Sequence, residues 1–335
     1  MVDNPPRFDD VADRAPAGRA DAATVIVLDR LPDPALQGAN CCTFGNFDGV
    51  HRGHRALLAM VVAHAKAAGG QAIALTFDPH PLRLLRPERA PRAIDSLQDR
   101  LAGLRATGID IAVVLRFDAE LAAQPAAWFA EEVLFGALGA RCVVIGHDTR
   151  FGQGGTGDAA LLRAIAAQRG ATVASCAPVV WGGAEVSSSR IRKLLEAGEV
   201  EAAADLLGRP WRVQAEVVHG DARGRTIGFP TANLRLGDQL APAHGVYAGW
   251  LHTAAGQILP AVANCGVRPT FGATTAQLEV HCLDFSGDLY HQRVRFDVVG
   301  RLRGEQRFDG IAALRAQIAA DVAAARALLA SLPAP

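Results

Sequence analysis

Lysine is nearly absent from the 335-residue chain, in which only Lys66 and Lys193 occur. No lysine follows a suitable glycine loop, which excludes a phosphate-binding loop of the G-x-x-x-x-G-K-[ST] type. A net charge is also lacking, because 34 acidic side chains balance 34 basic ones. Without an overall positive field the chain is not expected to bind nucleic acid. Any phosphate ligand must therefore be held by local groups.

Long hydrophobic runs are missing too, although 50% of the residues are hydrophobic. No uninterrupted apolar stretch is long enough to cross a bilayer, and the polar N-terminus lacks the apolar segment of a signal peptide. The six cysteines form no C-x-x-C pair, and most lie in apolar runs where reduced cysteine packs as a small hydrophobic residue. We therefore expect a cytoplasmic protein without membrane association and without a disulfide framework.

The hydrophobic pattern divides the chain into two parts. In residues 23–206 short apolar strands alternate with helical segments, which predicts an α/β domain with a parallel, Rossmann-like sheet. In residues 207–331 six strand-like segments follow one another without helices, and an alanine-rich helix comes last, which predicts an antiparallel sheet or barrel. Residues 1–22 are expected to form a loose tail.

The predicted elements follow from these patterns. The strands of the first part are 23–28, 39–45, 71–77, 109–117, 141–148 and 172–180, and its helices are 54–69, 96–108, 125–139, 158–170 and a pair within 189–206. The strands of the second part are 211–220, 228–236, 245–253, 257–266, 276–285 and 292–303, and its helix is 308–329.

Two histidines stand at the start of a predicted helix, in the stretch TFGNFDGVHRGHRALL (43–58). His51 and His54 are three residues apart, so on a helix they project from nearly the same face. The first turn of a helix attracts anions, and the glycines of this stretch leave room for a ligand. One histidine capping the helix and the other packing is the structural alternative. A zinc site is weaker, because metalloprotease histidines are four residues apart with a glutamate between them.

The segment GQGGTG (152–157) fits the dinucleotide-binding pattern G-x-G-x-x-G. That fingerprint requires an acidic ribose partner about twenty residues later, but residues 172–182 contain none. A glycine-rich ligand loop is therefore the better interpretation.

The H-x-G-H pattern resembles the nucleotidyltransferase superfamily, in which the histidines help to hold a triphosphate. Three further segments, TFDPHP (76–81), GHDTRFGQGGTGD (146–158) and VSSSRIR (186–192), make the first part similar to the adenylyltransferase half of the bacterial bifunctional riboflavin kinase/FMN adenylyltransferase family. The chain departs from that family at His147 and Thr149, where the family carries tyrosine and phenylalanine, and at Ser189, where it usually carries threonine.

The resemblance implies roles for individual residues of the first part. The implied catalytic residues are His51 and His54. The implied ATP- and phosphate-binding residues are Gly45, Phe47, Asp48, Gly53, Asp78, Ser188, Ser189 and Arg192, and the implied flavin-binding residues are Asp148 and Arg150. For 188–192 an ordinary helix cap followed by a solvated arginine face is the alternative.

The second part resembles the riboflavin kinase module of the same family, which folds as a small Greek-key barrel. The resemblance is carried, in order, by GRPW (208–211), GDARGRTIGFPTANL (220–234), GVYAG (245–249), NCGVRPTFG (264–272) and LEVHCLDFSGDLY (278–290). It implies that Thr231 and Asn233 bind Mg²⁺, that Gly220 and Arg225 bind ATP, that Arg268 and Arg303 bind flavin, and that Glu279 is the catalytic base. A polar turn at 220–231, a solvent-facing Glu279 and a charged strand end at Arg303 are the alternatives.

The whole resemblance covers residues 23–330. It implies a bifunctional enzyme that converts riboflavin and ATP to FMN, and then FMN and ATP to FAD and pyrophosphate, with Mg²⁺ as cofactor. We expect a monomer or weak oligomer. Two other hypotheses stay open: a riboflavin kinase whose first domain adenylylates another substrate, and a flavin-binding protein that has lost catalysis.

Overall fold

The computed structural model describes residues 24–28, 35–220, 224, 227–270 and 273–332, with the backbone alone for 24–28, 267–270 and 273–276. The described residues form two compact units. The first takes the residues up to Phe47 together with 54–90 and 101–178, and the second takes 48–53, 91–100 and the residues from Val179 onward. The predicted tail, residues 1–22, lies outside the described residues.

The first unit contains a six-stranded sheet in which every pair of neighbours is parallel. Its strands are β1 (Thr24–Leu28), β2 (Asn40–Phe44), β3 (Ala72–Asp78), β4 (Ile111–Arg116), β5 (Ala140–Gly146) and β6 (Thr172–Cys176). The strand order is β1-β4-β3-β2-β5-β6. Strands such as IAVVLR of β4 are almost continuously apolar because both faces of a parallel sheet are covered. The predicted α/β fold is confirmed.

Helices connect these strands. They are α1 (Arg52–Ala68), α2 (Pro81–Leu85), α3 (Leu97–Arg105), α4 (Ala119–Ala122), α5 (Ala126–Trp128), which continues as a π-helix over Phe129–Ala137, and α6 (Ala159–Gln168). The apolar face of the 125–139 segment packs into the core through Val133, Leu134 and Leu138, all fully buried. The sequence predicted one helix there but not its π-helical geometry.

The strand order reverses at β2, which fixes where a ligand would bind. Strands β3 and β4, which follow β2 in the chain, lie on one side of β2 within the sheet, whereas β5 lies on its other side. Ligands of open α/β sheets occupy the crevice beyond the carboxyl ends of the strands at such a switch point. The segments after β2 and β5 are thus the expected walls of a site.

The predicted strand 172–180 ends earlier than expected, at Cys176. A separate two-stranded hairpin follows, made of β7 (Val180–Trp181) and β8 (Ala184–Glu185). Gly182 and Gly183 connect its strands with φ values of 58° and 78°, and such positive values suit the tight turns of hairpins. The predicted strand 172–180 thus extends past β6 as far as Val180, the first residue of the hairpin.

Two helices follow the hairpin, α7 (Ser188–Ala197) and α8 (Val200–Leu207). Ser187 caps α7 by accepting the backbone N–H of Arg190, and Gly198 ends α7 in the left-handed conformation. Compactness groups both helices with the second unit, whereas the sequence placed them before a domain boundary at 206/207. That functional boundary stays a prediction.

The second unit contains a closed antiparallel barrel in the order β10-β13-β12-β11-β14-β9. Its strands are β9 (Trp211–Val218), β10 (Ala232–Arg235), β11 (Gly245–His252), β12 (Ile258–Thr270), β13 (Ala273–Cys282) and β14 (Arg293–Arg303). Strands β11, β12 and β13 form a meander and β14 returns beside β11, which is a Greek-key order. The predicted barrel is confirmed, although the strand predicted at 228–236 is shorter.

The last helix, α9 (Ile311–Ala330), packs on the outside of this barrel. Its buried Ala325 and Leu329 join a small apolar cluster with Val246 and Ala248 of β11. The predicted terminal helix is thereby confirmed. Among the described residues, no helix is both long and apolar enough to cross a membrane.

Candidate active sites

A cavity of about 650 Å³ opens at the carboxyl edge of the parallel sheet, within the first unit. Its walls come from the segments that follow β2, β3, β4 and β5. The lining includes Gly45 and Asn46 after β2, and Thr149, Arg150 and the glycines of the 152–155 loop after β5. The cavity therefore lies where the switch-point rule places a ligand.

Phenylalanine rings form much of this cavity. The rings that line it are Phe44, Phe77, Phe117, Phe129 and Phe151. Phe44 and Phe151 meet edge to face at 5.5 Å between ring centroids, and Phe77 and Phe117 do so at 5.7 Å. Sequence reasoning missed these residues. The signal was present for three of the five, because Phe44, Phe77 and Phe117 stand within one residue of the end of a strand.

The turn after β2 brings Phe47 against His54. Phe47 adopts a φ of 47°, is buried, and meets the His54 ring edge to face at 5.3 Å. A Cβ on Gly45 would lie 3.5 Å from the Phe47 ring, in ordinary contact. The Gly45 N–H donates to the carbonyl of Leu75 at 3.0 Å. Gly45 thus lines the cavity while its backbone stays tied to β3.

Asp78 is the last residue of β3 and is half-buried. Its carbonyl accepts the N–H of Phe117 at 3.1 Å. Asp78 is not among the residues that line the cavity, whereas its neighbour Phe77 is. The nearby Asn46 and His80 side chains are hydrogen-bonded to each other at 3.1 Å.

Arg150 and Thr149 line the cavity, whereas Asp148 is exposed and does not. The Arg150 guanidinium lies 3.6 Å from the carboxylate of Asp158, the residue that caps α6. His147 lies 4.0 Å from Asp148 in a solvent-exposed pair.

The glycine-rich loop after Arg150 is a wall of the same cavity. Gly152 adopts a φ of 73°, and a Cβ there would lie 2.4 Å from the backbone of Ala126. Only glycine fits that close approach. The prediction of a ligand loop agrees with this position.

In the second unit, three segments that are distant in sequence meet at Asp48. Its carboxylate accepts the N–H groups of Ile94 at 3.0 Å and Asp95 at 3.1 Å, and the Arg192 guanidinium at 2.5 Å. The Ser188 hydroxyl donates to the Asp48 carbonyl at 2.8 Å. Ser189 is exposed. The predicted residues Asp48, Ser188 and Arg192 are thus brought together, and they bind one another.

His51 is 5% exposed, and Gly53 lies directly against its ring. A Cβ on Gly53 would sit 3.2 Å from that ring and 3.3 Å from the carbonyl of Val186. Burial lowers the pKa of His51 to about 4, an effect that Asp48 opposes and Arg192 adds to. Near neutral pH the ring is therefore a neutral imidazole, which can still donate a hydrogen bond to phosphate oxygen.

In the barrel, Asn233 of β10 lies directly opposite Glu279 of β13. The Asn233 side chain is buried, and its carbonyl oxygen accepts a hydrogen bond from the Gln277 amide at 2.7 Å. A Cβ on Gly220 would lie 2.3 Å from the Asn233 amide. Gly220 is therefore needed for close approach of the 220 turn to Asn233.

A second cavity, of about 450 Å³, lies in the barrel unit and is lined in part by Thr231, Phe285 and Tyr290. The Tyr290 ring stacks on His219 with 3.9 Å between centroids. Asn233 and Glu279 do not line this cavity. Its aromatic walls and size suit one planar ring system.

The three predicted arginines of the barrel unit differ in what the structure shows. Arg303 forms a two-pronged ion pair with Asp321 of α9, with contacts of 2.8 to 3.1 Å. Arg268 lies on β12. Arg225 lies outside the described residues. The flavin contacts of Arg268 and Arg303 and the ATP contact of Arg225 stay predictions, and Asp321 was not anticipated from the sequence.

The donor set at Thr231 and Asn233 fits Mg²⁺. A hydroxyl and an amide oxygen are the hard, uncharged ligands that Mg²⁺ accepts together with substrate phosphates. The Asn233 oxygen uses one of its two lone pairs on Gln277, which leaves the other for a cation. Within the described part of the chain, no group of three or more His, Cys, Asp or Glu residues is placed to hold a metal ion.

Comparisons with known proteins cover both parts of the chain. A family model described as FAD synthetase matches residues 33–190, and one described as riboflavin kinase matches residues 207–329. Bifunctional riboflavin kinase/FMN adenylyltransferase of Escherichia coli K12 is 40% identical over 284 residues, which are 85% of this chain and 91% of that protein. The Pseudomonas fluorescens protein of the same name is 41% identical over 289 residues, 86% and 92% of the two chains.

A solved structure is similar over nearly its whole length. The crystal structure described as a macrolide-efflux protein from Streptococcus pneumoniae has a TM-score of 0.78 and 30% sequence identity. The match covers 90% of this chain and 98% of that one. It extends the likeness from sequence to fold.

Proposed function

The chain belongs to the family of bifunctional riboflavin kinases/FMN adenylyltransferases, and from this premise we propose which residues perform its two reactions. The C-terminal domain phosphorylates riboflavin with ATP to give FMN. The N-terminal domain transfers the adenylyl group of a second ATP to FMN, which gives FAD and pyrophosphate.

In the first reaction we assign the proton transfer to Glu279. The 5′-hydroxyl oxygen of riboflavin attacks the γ-phosphorus of ATP, the bond to the ADP oxygen breaks, and Glu279 takes the hydroxyl proton. A half-buried carboxylate is a suitable base once substrate comes within hydrogen-bond reach. Thr231 and Asn233 would hold Mg²⁺, which neutralises phosphate charge in phosphoryl transfer.

In the second reaction a phosphate oxygen of FMN attacks the α-phosphorus of ATP, and pyrophosphate leaves. No proton has to be removed from the attacking phosphate. We assign to His51 and His54 the hydrogen bonds that stabilise the charge developing on pyrophosphate. The neutral state of buried His51 supports a donor role rather than a purely ionic one.

The cavity at the carboxyl edge of the parallel sheet is proposed to receive the flavin of FMN. Its phenylalanine rings provide apolar contact for a flat aromatic ligand, and Arg150 provides a positive charge at its wall. These rings offer an aromatic surface even though His147 and Thr149 replace the aromatic residues usual in the family.

The observation that carries the proposal is that one chain contains two separate candidate sites. These are a switch-point cavity lined by Gly45 and Asn46, which precede H-x-G-H in the sequence, and a closed barrel with Asn233 opposite Glu279. The test is to incubate the purified protein with riboflavin, ATP and Mg²⁺ and to separate the flavins. Both FMN and FAD should form. FMN without FAD would favour another acceptor for the first domain, and flavin binding without either product would overturn both activities.

Riboflavin, FMN and ATP are the small-molecule partners that these activities require. We also propose a cytoplasmic monomer or weak oligomer that does not bind nucleic acid. The free, buried state of all six cysteines supports a reducing compartment, and the balanced charge argues against nucleic acid.

A further inference from the structure

The loop Asp48–Gly53, here called the histidine loop, leads into α1 and carries His51. It belongs to the second compact unit. Two of its residues adopt positive φ, Gly49 at 89° and Val50 at 39°. Positive φ is uncommon for a β-branched residue such as Val50 and persists only where surrounding contacts determine the backbone. Contacts from residues outside the histidine loop must therefore stabilise its backbone conformation.

Asp95 and Arg209 close a ring of hydrogen bonds around the start of this loop. The Asp95 N–H donates to the Asp48 carboxylate at 3.1 Å, and the Asp95 carboxylate accepts the Arg209 guanidinium at 2.6 and 2.7 Å. The same guanidinium nitrogen of Arg209 donates to the Gly49 carbonyl at 3.3 Å. The ring runs from Asp48 through Asp95 and Arg209 to Gly49.

The ring is shielded from solvent. The side chain of Asp95 is fully buried and that of Arg209 is 10% exposed. Burial raises the pKa of Asp95, an effect that Arg209 opposes. An ion pair held in so dry a place is sensitive to the loss of either partner, because the remaining charge would be left uncompensated.

Arg209 and the histidine loop that it contacts belong to sequence regions assigned to different reactions. Arg209 lies within the region 207–329 that matches riboflavin kinase, two residues before β9 begins at Trp211. The loop that it holds carries a histidine of the adenylyltransferase motif. Arg209 of the kinase region therefore contacts the backbone of the loop that orients His51, a histidine assigned to adenylyl transfer.

We propose that Arg209, together with Asp95, is a positioning residue for adenylyl transfer: it holds the histidine loop in its productive conformation although it belongs to the kinase region. The proposal rests on the assignment of His51 to FAD formation. It goes beyond that assignment by naming the contacts that keep His51 in place and by placing one of them in the other half of the chain.

The test measures both reactions on the same preparation, with riboflavin and ATP for FMN formation and with FMN and ATP for FAD formation. Arg209→Met should lower kcat for FAD formation by about 10- to 100-fold, since small misplacements of a reacting group have effects of this size. FMN formation should stay within about twofold. Arg209→Lys should restore part of the FAD activity, because an ammonium can still donate to Asp95 and to the Gly49 carbonyl.

The matched control is Arg212→Met. Arg212 is another partly buried arginine of the barrel unit, paired with Asp297 at 3.5 Å and without a described contact to the histidine loop. It should change the melting temperature without a selective loss of FAD formation. The double variant Asp95→Asn/Arg209→Met should be no worse in FAD formation than the poorer single variant, because both break one ring.

Three outcomes decide the proposal. A selective fall in kcat for FAD formation, with partial recovery in the lysine variant, supports it. Unchanged FAD formation in Arg209→Met overturns it, as does an equal fall of both reactions that follows the melting temperature, since that would show a purely structural pair. A wild-type protein that makes FMN but no FAD would instead refute the assignment of the second reaction, and the two failures are thereby distinguished.

Discussion

Asn233 and Glu279 are cross-strand partners on β10 and β13, and Gln277 fixes the Asn233 amide from the same strand as Glu279. Residues two apart on a strand share a face, so Gln277 and Glu279 lie together on the face opposite the core-facing Leu278 and Val280. The proposed metal ligand and the proposed base are therefore set in one rigid arrangement by strand register.

Glu279→Gln should slow FMN formation by about 100- to 10,000-fold, the usual contribution of a general base. The amide keeps the size of the side chain but cannot take the hydroxyl proton. FAD formation from added FMN should be unaffected. Initial rates with riboflavin and with FMN as separate substrates measure the two effects.

Glu216→Gln is the control for that substitution. Glu216 is a solvent-exposed carboxylate on β9, the strand that pairs with β10 on the side away from β13, and its loss should leave both rates within about twofold. Equal slowing by the two substitutions, or normal FMN formation in Glu279→Gln, would remove Glu279 from the mechanism.

His51 makes a pH-dependent contribution to stability. Its folded pKa of about 4 lies below the ordinary value of 6.5, so between these values the unfolded chain binds a proton that the folded chain does not. The free energy of unfolding therefore falls as pH drops from 6.5 to 4, by about 3 kcal/mol for this group alone. Denaturant unfolding of wild type and His51→Gln at pH 7 and pH 4 should show that the wild-type loss is larger.

Two further measurements accompany the His51 experiment. His51→Gln should abolish FAD formation and leave FMN formation intact, because the substituted side chain belongs to the second reaction only. His64→Gln, on the exposed face of α1, should show neither effect. A loss of FMN formation in His51→Gln would contradict the division of labour between the two domains.

The alternation of strands and helices was enough to predict the parallel sheet, and the run of strands was enough to predict the barrel. The predictions that failed concern segments whose backbone geometry depends on local contacts and not on the spacing of hydrophobic residues. Gly182 and Gly183 turned the end of a predicted strand into a hairpin. The segment 129–137 reads as an ordinary helix, and its π-helical form has no signature in hydrophobic spacing.

The candidate site was predictable as a set of motifs but not as a set of contacts. The family resemblance implies ATP binding for Asp48, Ser188 and Arg192, and in the structure Ser188 and Arg192 are both hydrogen-bonded to Asp48. No pattern within either motif indicates such a pairing, because the residues are 140 to 144 positions apart. The contact between Arg209 and Asp95 was missed for the same reason, since the segment GRPW (208–211) carries the kinase resemblance but indicates no contact with Asp95.

The Arg303–Asp321 pair ties α9 to the barrel, and its loss should cost stability. Arg303 is 17% exposed and Asp321 is 6% exposed. Asp321→Ala removes the carboxylate and leaves a partly buried guanidinium, which should lower the free energy of unfolding by about 3 kcal/mol. Asp284→Ala breaks the exposed pair with Arg326 and should leave stability almost unchanged. Chemical denaturation checks both.

The Arg303 result also bears on the predicted flavin contact. If Arg303 only anchors α9, Arg303→Met should reduce stability and leave KM for riboflavin unchanged at a temperature where the variant is folded. A raised KM for riboflavin in Arg303→Met, with normal KM in Asp321→Ala, would instead support the flavin contact.

Phe117 is one of the aromatic rings that line the cavity proposed to receive the flavin. Phe117 lies just after β4, is half-buried, and faces Phe77 across 5.7 Å. Phe117→Leu keeps an apolar side chain but removes an aromatic surface, and stacking on one ring contributes about 1 to 3 kcal/mol. We therefore expect KM for FMN in FAD formation to rise about tenfold, with FMN formation from riboflavin unchanged. Phe135→Leu is the matched control, because Phe135 lies in the core cluster against which Phe77 packs but does not line the cavity. Equal effects of the two variants would show general loosening of the domain, and an unchanged KM in Phe117→Leu would place the flavin elsewhere.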